Sequence, residues 1–155
     1  MTQTRLNLEK LETTTRGRHA LTAMVDLSRR QDGRPIPLSE IAASRQISLS
    51  YLEQMFSGLR RHGLVKSHRG PGGGYVLAMP AKNISVAAII RAAEDSPAAT
   101  RANQNNRRQR QSDDATGKLW ENVGGLVSTL LNHVSLDDVV AERVEVYQKI
   151  FRTEA

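Results

Sequence analysis

The chain has no cysteine among its 155 residues. That absence excludes disulfides, a thiolate nucleophile and any thiolate-ligated metal or cluster. No apolar run approaches the ~18 to 20 residues that a membrane-spanning helix needs, and the polar N-terminus lacks the apolar core of a secretory signal. The expected location is therefore the cytoplasm, with no membrane partner. The four histidines, His19, His62, His68 and His133, show no metal-ligand spacing. No nucleophile and base pair stands out and no carboxylates converge, which argues against an enzyme. A nucleotide loop is missing too. The glycine-rich run at 70–74 lacks the Gly-x-x-x-x-Gly-Lys-Ser/Thr order and lies between two expected strands instead of opening a helix.

What remains is a basic chain with enough apolar residues to fold. A hydrophobic fraction of 39% over this length supports one core plus an additional element. The formal charge of +6 and a pI near 10.2 favour polyanionic partners, although where the charge sits matters more than its total.

The charge gathers around one stretch, ISLSYLEQMFSGLRRHGLVKSHRGPGGGY, residues 47–75. Ser50 stands three residues before Glu53, the capping-box spacing, so a helix is expected to start there. Leu52, Met55, Phe56 and Leu59 share one helical face, which leaves Tyr51, Gln54, Ser57, Arg60 and Arg61 for the others. Gly63 ends the helix, and residues 65–69 alternate as a strand. The run Gly70, Pro71, Gly72, Gly73, Gly74 then turns the chain into a second strand at 75–78. This is the outline of a basic recognition helix followed by a hairpin wing with Arg69 beside its tip.

The rest of the chain builds around that unit. Residues 1–13 are a mixed polar extension. Thr14 or Thr15 caps a core helix carrying Ala20, Leu21, Met24, Val25 and Leu27, broken at Asp32-Gly33. Pro35-Ile36-Pro37 reads as a short extended piece, and 38–44 as a short helix with Leu38, Ile41 and Ala42 inward. The turn Gln46-Ile47-Ser48 then gives a helix-turn-helix, which the hairpin makes winged. A short helix at 84–93 closes a domain spanning 14–97. Residues 98–115 form a polar, arginine-rich loop holding Arg101, Arg107, Arg108 and Arg110, expected to be flexible. Leu119, Trp120, Val123, Val127, Leu130 and Leu131 keep helical spacing outside a domain already complete. They form a stripe that calls for a partner surface, most economically a second copy of itself. Ser135 caps a further short helix at 136–140 within a dimerisation segment, 116–141, and a tail follows at 142–155.

Three stretches, TTTRGRHALTAMVDL, PIPLSEIAASRQISLSYLEQMFSGLRRHGLVKSHRGPGGGY and the helix starting LWENVGGLV, resemble the IscR-like branch of the Rrf family of winged helix-turn-helix regulators. The resemblance covers about residues 11 to 141. It implies a homodimeric repressor or activator, of the kind concerned with iron-sulfur homeostasis. Such a dimer sets two recognition helices in successive major grooves of a pseudo-palindromic operator, with each wing in the adjacent minor groove. Ser50, Tyr51, Glu53 and Gln54 match the family positions facing base edges or nearby phosphates. Glu53 matches the carboxylate that discriminates between operator classes, and Arg69 matches the minor-groove arginine. The DNA-binding set expected here is Ser48, Ser50, Tyr51, Glu53, Gln54, Arg60, Arg61, Arg69, Gly72 and Gly73.

One departure is as specific as the match. Where the resembling proteins carry three cysteines and a histidine holding a two-iron two-sulfur cluster, this chain has Ala102, Arg108, Asp114 and Gly117. None is a thiolate or an imidazole, so no cofactor and no metal are expected. The expected fold is mainly α with a small β-hairpin wing (α+β), a winged helix-turn-helix with a long C-terminal dimerisation helix. The expected function is DNA-binding transcriptional regulation by a cluster-free homodimer. The alternative is a winged-helix adaptor for protein partners, against which the grouping of Arg60, Arg61, Lys66 and Arg69 counts.

Overall fold

Helix α1 (Thr15–Arg29) is the post against which the other elements pack, because small and large apolar residues alternate along its inner face. Ala20, Ala23, Met24 and Leu27 are fully buried there. The two alanines admit close neighbours, and the two larger side chains fill the space between them. The structure, a computed structural model, describes residues 15–30, 32–95 and 115–143. The expected N-terminal extension, the arginine-rich loop up to residue 114 and nearly all of the tail lie outside those residues.

Pro37 has extended backbone and cannot donate an N–H. It opens α2 (Leu38–Arg45), which buries Leu38, Ile41 and Ala42. Gln46 leaves the helix in the left-handed conformation, and Ile47 donates its N–H back to Ala42. Ser48 is thus the residue with extended backbone from which α3 (Leu49–Arg61) springs, and its side chain accepts from the Tyr51 N–H at 3.1 Å. The expected capping box from Ser50 to Glu53 is corrected here. The turn is short enough that the cap falls two residues earlier, and Ser50 lies within the first turn of α3. Leu52, Met55, Phe56 and Leu59 form its buried face, as the spacing predicts.

Strands β1 (Val65–His68) and β2 (Gly74–Leu77) pair antiparallel, with Val65 opposite Leu77 and Ser67 opposite Tyr75. Both strands sit within a residue of expectation. Ile36 adds a third short rung, exchanging both backbone hydrogen bonds with Tyr75 at 2.9 Å. That rung demands glycine at position 74, where a Cβ would fall 2.3 Å from the carbonyl carbon of Ile36 and φ is +153°.

After a 3-10 turn at Ala81–Asn83, Ser85 caps α4 (Val86–Glu94), two residues later than the sequence pattern suggests. Helices α3 and α4 meet backbone to backbone at Gly58, where a Cβ would stand 2.2 Å from the Ala92 carbonyl oxygen. Helix α5 (Ala115–Asn132) buries none of its residues. The chain then returns to the domain. Val86 donates to the Val134 carbonyl at 2.9 Å, Leu136 donates to the Ile84 carbonyl at 2.8 Å, and α6 (Leu136–Val140) is held by a Ser135–Asp138 capping box.

Two carboxylates are buried among the described residues, Asp138 in the capping box of α6 and Asp26 between α1 and α2. Asp26, 7% exposed, accepts two hydrogen bonds from the Arg45 guanidinium, at 2.6 and 2.5 Å, tying α1 to the end of α2. The Arg45 hydrogen bonds hold the Asp26 carboxyl below its usual value against the opposing effect of burial. A carboxyl depressed in the folded state contributes stability above its unfolded value, about 3.9, and loses it as pH falls through the folded value.

Two stability measurements test these assignments. Arg45→Ala should move the midpoint of acid unfolding, followed by circular dichroism, to higher pH. Glu40→Gln, which breaks only the exposed pair with Arg30, should leave it in place. In urea, Ser48→Ala should cost about 1 kcal/mol through the lost cap, whereas Ser50→Ala should cost under about 0.5 kcal/mol.

Candidate nucleic-acid interface

With its apolar side sealed, α3 presents the opposite side to solvent. Ser50, Glu53 and Gln54 are exposed there, and Ser48 at the cap is exposed too. Leu49 is the residue the sequence analysis missed. It is 41% exposed and lies one turn before Glu53, an apolar group on an otherwise polar face. Its signal was its place at the first position of a helix starting from Ser48, which the Ser50 cap conceals.

Tyr51 departs from its neighbours, being only half-exposed. The Arg16 guanidinium lies 5.4 Å from its ring centroid and the His19 ring meets it edge-on at 5.7 Å. Arg16 is itself anchored, donating from Nε to the Ala93 carbonyl at 2.6 Å. The start of α3 is thereby braced against α1 and the end of α4 through a cation over an aromatic face.

The two arginines that end α3 go separate ways. Arg60 turns to the wing, where Nη1 donates to Ser67 Oγ at 3.5 Å. Arg61 donates to the Asp95 carbonyl, and His62 Nε2 meets the Asp95 carboxylate at 2.9 Å. The His62 hydrogen bond, with Arg61 nearby, holds the Asp95 carboxyl below its usual value. The last turn of α3 is thus fastened to the residue that follows α4.

Arg69 is exposed just before the hairpin tip, and the tip closes through a Gly73 N–H to Gly70 carbonyl bond of 2.9 Å. Gly72 is exposed and Gly73 half-buried. The structure therefore brings Ser48, Ser50, Glu53 and Gln54 onto one face, with Arg60, Arg69, Gly72 and Gly73 toward the wing. It sets Tyr51 and Arg61 partly aside in packing roles.

Helix α5 carries the second expected surface. Leu119 and Trp120 are 57% and 59% exposed, and Leu126, which the stripe omitted, is 72% exposed. Val123, Val127, Leu130 and Leu131 are half-buried. Scattered exposed apolar side chains are ordinary on a monomer surface, whereas several sharing one helix mark a candidate interaction surface.

The donor set does not fit an iron-sulfur cluster. The chain holds no thiolate, Gly117 stands within α5, and Ala102, Arg108 and Asp114 lie outside the described residues. Among the described residues no group of histidine and carboxylate side chains converges as a metal site would require.

Comparison with known proteins agrees with this geometry. Residues 13–142 match the Rrf2 family, described as "Iron-dependent Transcriptional regulator". The chain is 43% identical to the HTH-type transcriptional regulator IscR of Yersinia pseudotuberculosis serotype O:1b, over 82% of this chain and 77% of that protein. Among solved structures it is similar to T. potens IscR, with a TM-score of 0.66, 33% identity and coverage of 85% and 88% of the two chains. It is also similar to CymR of B. subtilis, the global cysteine regulator, with a TM-score of 0.62, 32% identity and coverage of 83% and 95%. The chain belongs to the Rrf2 family of winged-helix transcriptional regulators, DNA-binding proteins and not enzymes.

Proposed function

We propose that this protein is a sequence-specific regulator that binds a pseudo-palindromic operator as a homodimer, works in the cytoplasm and carries no iron-sulfur cluster. The observation that carries the reading is the two-sidedness of α3. Four fully buried apolar side chains hold its back, while Ser50, Glu53 and Gln54 stand exposed on a helix whose position is thereby set. Side chains on a fixed helix discriminate between bases, because a mismatched edge then costs a hydrogen bond that no movement of the helix restores.

In this reading Gln54 and Glu53 meet base edges in the major groove, with Ser48 and Ser50 near the flanking phosphates. The glycine tip lets the wing backbone come close to DNA while Arg69 enters the adjacent minor groove, whose negative potential favours a guanidinium. The apolar stripe of α5, from Leu119 and Trp120 to Leu131, packs against the same stripe of a second copy. Two copies are what a pseudo-palindrome requires. With no thiolate in the chain, the input that the family description ties to iron takes another form here, or the protein binds its operator constitutively.

Binding to an IscR-type palindrome, followed by fluorescence anisotropy, tests the output. Neutralising about six phosphates gives a log-log salt slope near −5, and a flat response would remove DNA as the partner. Glu53→Ala should widen the set of sites bound, and Arg69→Ala should weaken binding and flatten the preference for A·T-rich flanks. The ultraviolet-visible spectrum of anaerobically purified protein should be colourless, and iron-sulfur absorbance would refute the cluster-free reading. Trp120→Glu should shift sedimentation from dimer to monomer and lower operator affinity. A mutant that stays dimeric would locate the interface elsewhere.

A further inference from the structure

Tyr51, Gly58 and His62 follow one another at seven- and four-residue steps, on one flank of α3 beside its polar face. All three are held, directly or through Arg16, by the last turn of α4 and its C-cap residue Asp95. Tyr51 has the Arg16 guanidinium over its ring, and Arg16 Nε donates to the Ala93 carbonyl at 2.6 Å. Gly58 rests on the backbone at Ala92, with no room for a side chain between the helices. His62, the C-cap of α3, brings Nε2 to 2.9 Å from the Asp95 carboxylate. Arg61 leaves α3 from the polar side, about two turns after Gln54, yet its guanidinium turns to the Asp95 carbonyl. The end of a helix leaves carbonyls without intrahelical donors and carries partial negative charge, so cations from α1 and α3 are suited to it.

The buried face of α3 does not by itself aim the polar one. Leu52, Met55, Phe56 and Leu59 press the helix onto the core, but apolar burial is non-directional and opposes a small roll only weakly. Gly58 then acts as a smooth pivot. A roll of about 10°, at the ~5 to 6 Å radius of the side-chain tips, moves those tips by about 1 Å. That takes a hydrogen bond out of its range of about 2.7 to 3.2 Å. Hydrogen bonds are directional, and the ones that reach Asp95 lie off the pivot, about 6 Å further along the helix axis at His62. They are placed to resist the roll that the apolar contacts permit.

We propose that Asp95 is a positioning residue for operator recognition: through His62 and Arg61 it sets the roll of α3, and with it the discrimination made by Glu53 and Gln54, without touching DNA. The inference rests on the DNA-binding reading above and adds to it a specificity determinant that lies outside the polar face of α3. The His62 and Asp95 side chains are 36% and 53% exposed, and a pair so exposed contributes little to global stability. Its effect is therefore on geometry more than on folding. Arg61 has a plainer use as a phosphate contact, because it starts from the polar side of the helix. Its engagement with a carbonyl 34 residues away, on the same residue that holds its neighbour His62, favours the positioning role.

The test uses the full-length protein with the operator duplex and an unrelated duplex, followed by anisotropy. Asp95→Ala should lower the ratio of operator to unrelated affinity about fivefold, with one modest latch lost per protomer, while unrelated affinity and the salt slope stay in place. Asp95→Asn, whose amide oxygen still accepts from His62, should recover most of the ratio. His62→Ala should match Asp95→Ala, and the double variant should lose no more than either single one, as befits two ends of one contact. Arg61→Ala should also lower the ratio and leave the slope unchanged. An unchanged ratio in Asp95→Ala, an equal loss on both duplexes, or additive losses in the double variant would overturn the positioning role while the regulator reading stands. A slope shallower by about 2 for Arg61→Ala, one phosphate per protomer, would assign Arg61 to DNA and overturn its part in the latch. A parent that binds neither duplex, or both alike, would take down the regulator reading itself.

Discussion

Everything that α3 offers to solvent depends on how tightly its other side is held. At Gly58 the backbones of α3 and α4 touch, since a single added carbon would lie 2.2 Å from the Ala92 oxygen. Around that contact Leu52, Met55, Phe56 and Leu59 are wholly buried, each contributing about 2 kcal/mol of burial. The helix interior tolerates a glycine, at a propensity cost of about 1 kcal/mol, because the close approach it permits brings four large side chains into the core together. Arg16 over Tyr51 at one end and Arg61 with His62 on Asp95 at the other fix the remaining freedom of rotation. A helix fastened along its back and at both ends carries its polar face as a rigid template.

The charges divide along the same line. Cations that serve the fold have carboxylates or carbonyls within reach: Arg45 on Asp26, Arg143 on Asp137 and Asp138, Arg61 on Asp95. Arg60, Lys66 and Arg69, along the end of α3 and the wing, carry no such ion pair among the described residues. A net charge of +6 says little alone, but its unneutralised part at this place adds to the positive potential that an anionic partner meets there.

Much of this was legible in the sequence, and the failures are instructive. The buried face of α3, the Ser135 cap, the hairpin and the α5 stripe follow from spacing and turn chemistry, which are local properties. The cap of α3 was misplaced because Ser48 and Ser50 both offer a hydroxyl, and only the left-handed exit at Gln46 decides between them. Gly58 carried no mark because its reason lies 34 residues away, at Ala92. Arg60 and Arg61 look alike in the chain. Their different partners, Ser67 and Asp95, come from a helical rotation of about 100° per residue between two tertiary surroundings. Asp26 was missed for the same cause, as its partner arrives from another helix.

The return of the chain after α5 governs geometry at a distance. Val134 and Leu136 are bonded to Val86 and Ile84 at the start of α4, so the C-terminal end of α5 is riveted to the body that carries α3. In the proposed dimer built on α5, the lever arm between the two recognition helices runs through that rivet. In the proposed dimer, the half-site spacing would be set through residues 84–86 and 134–136.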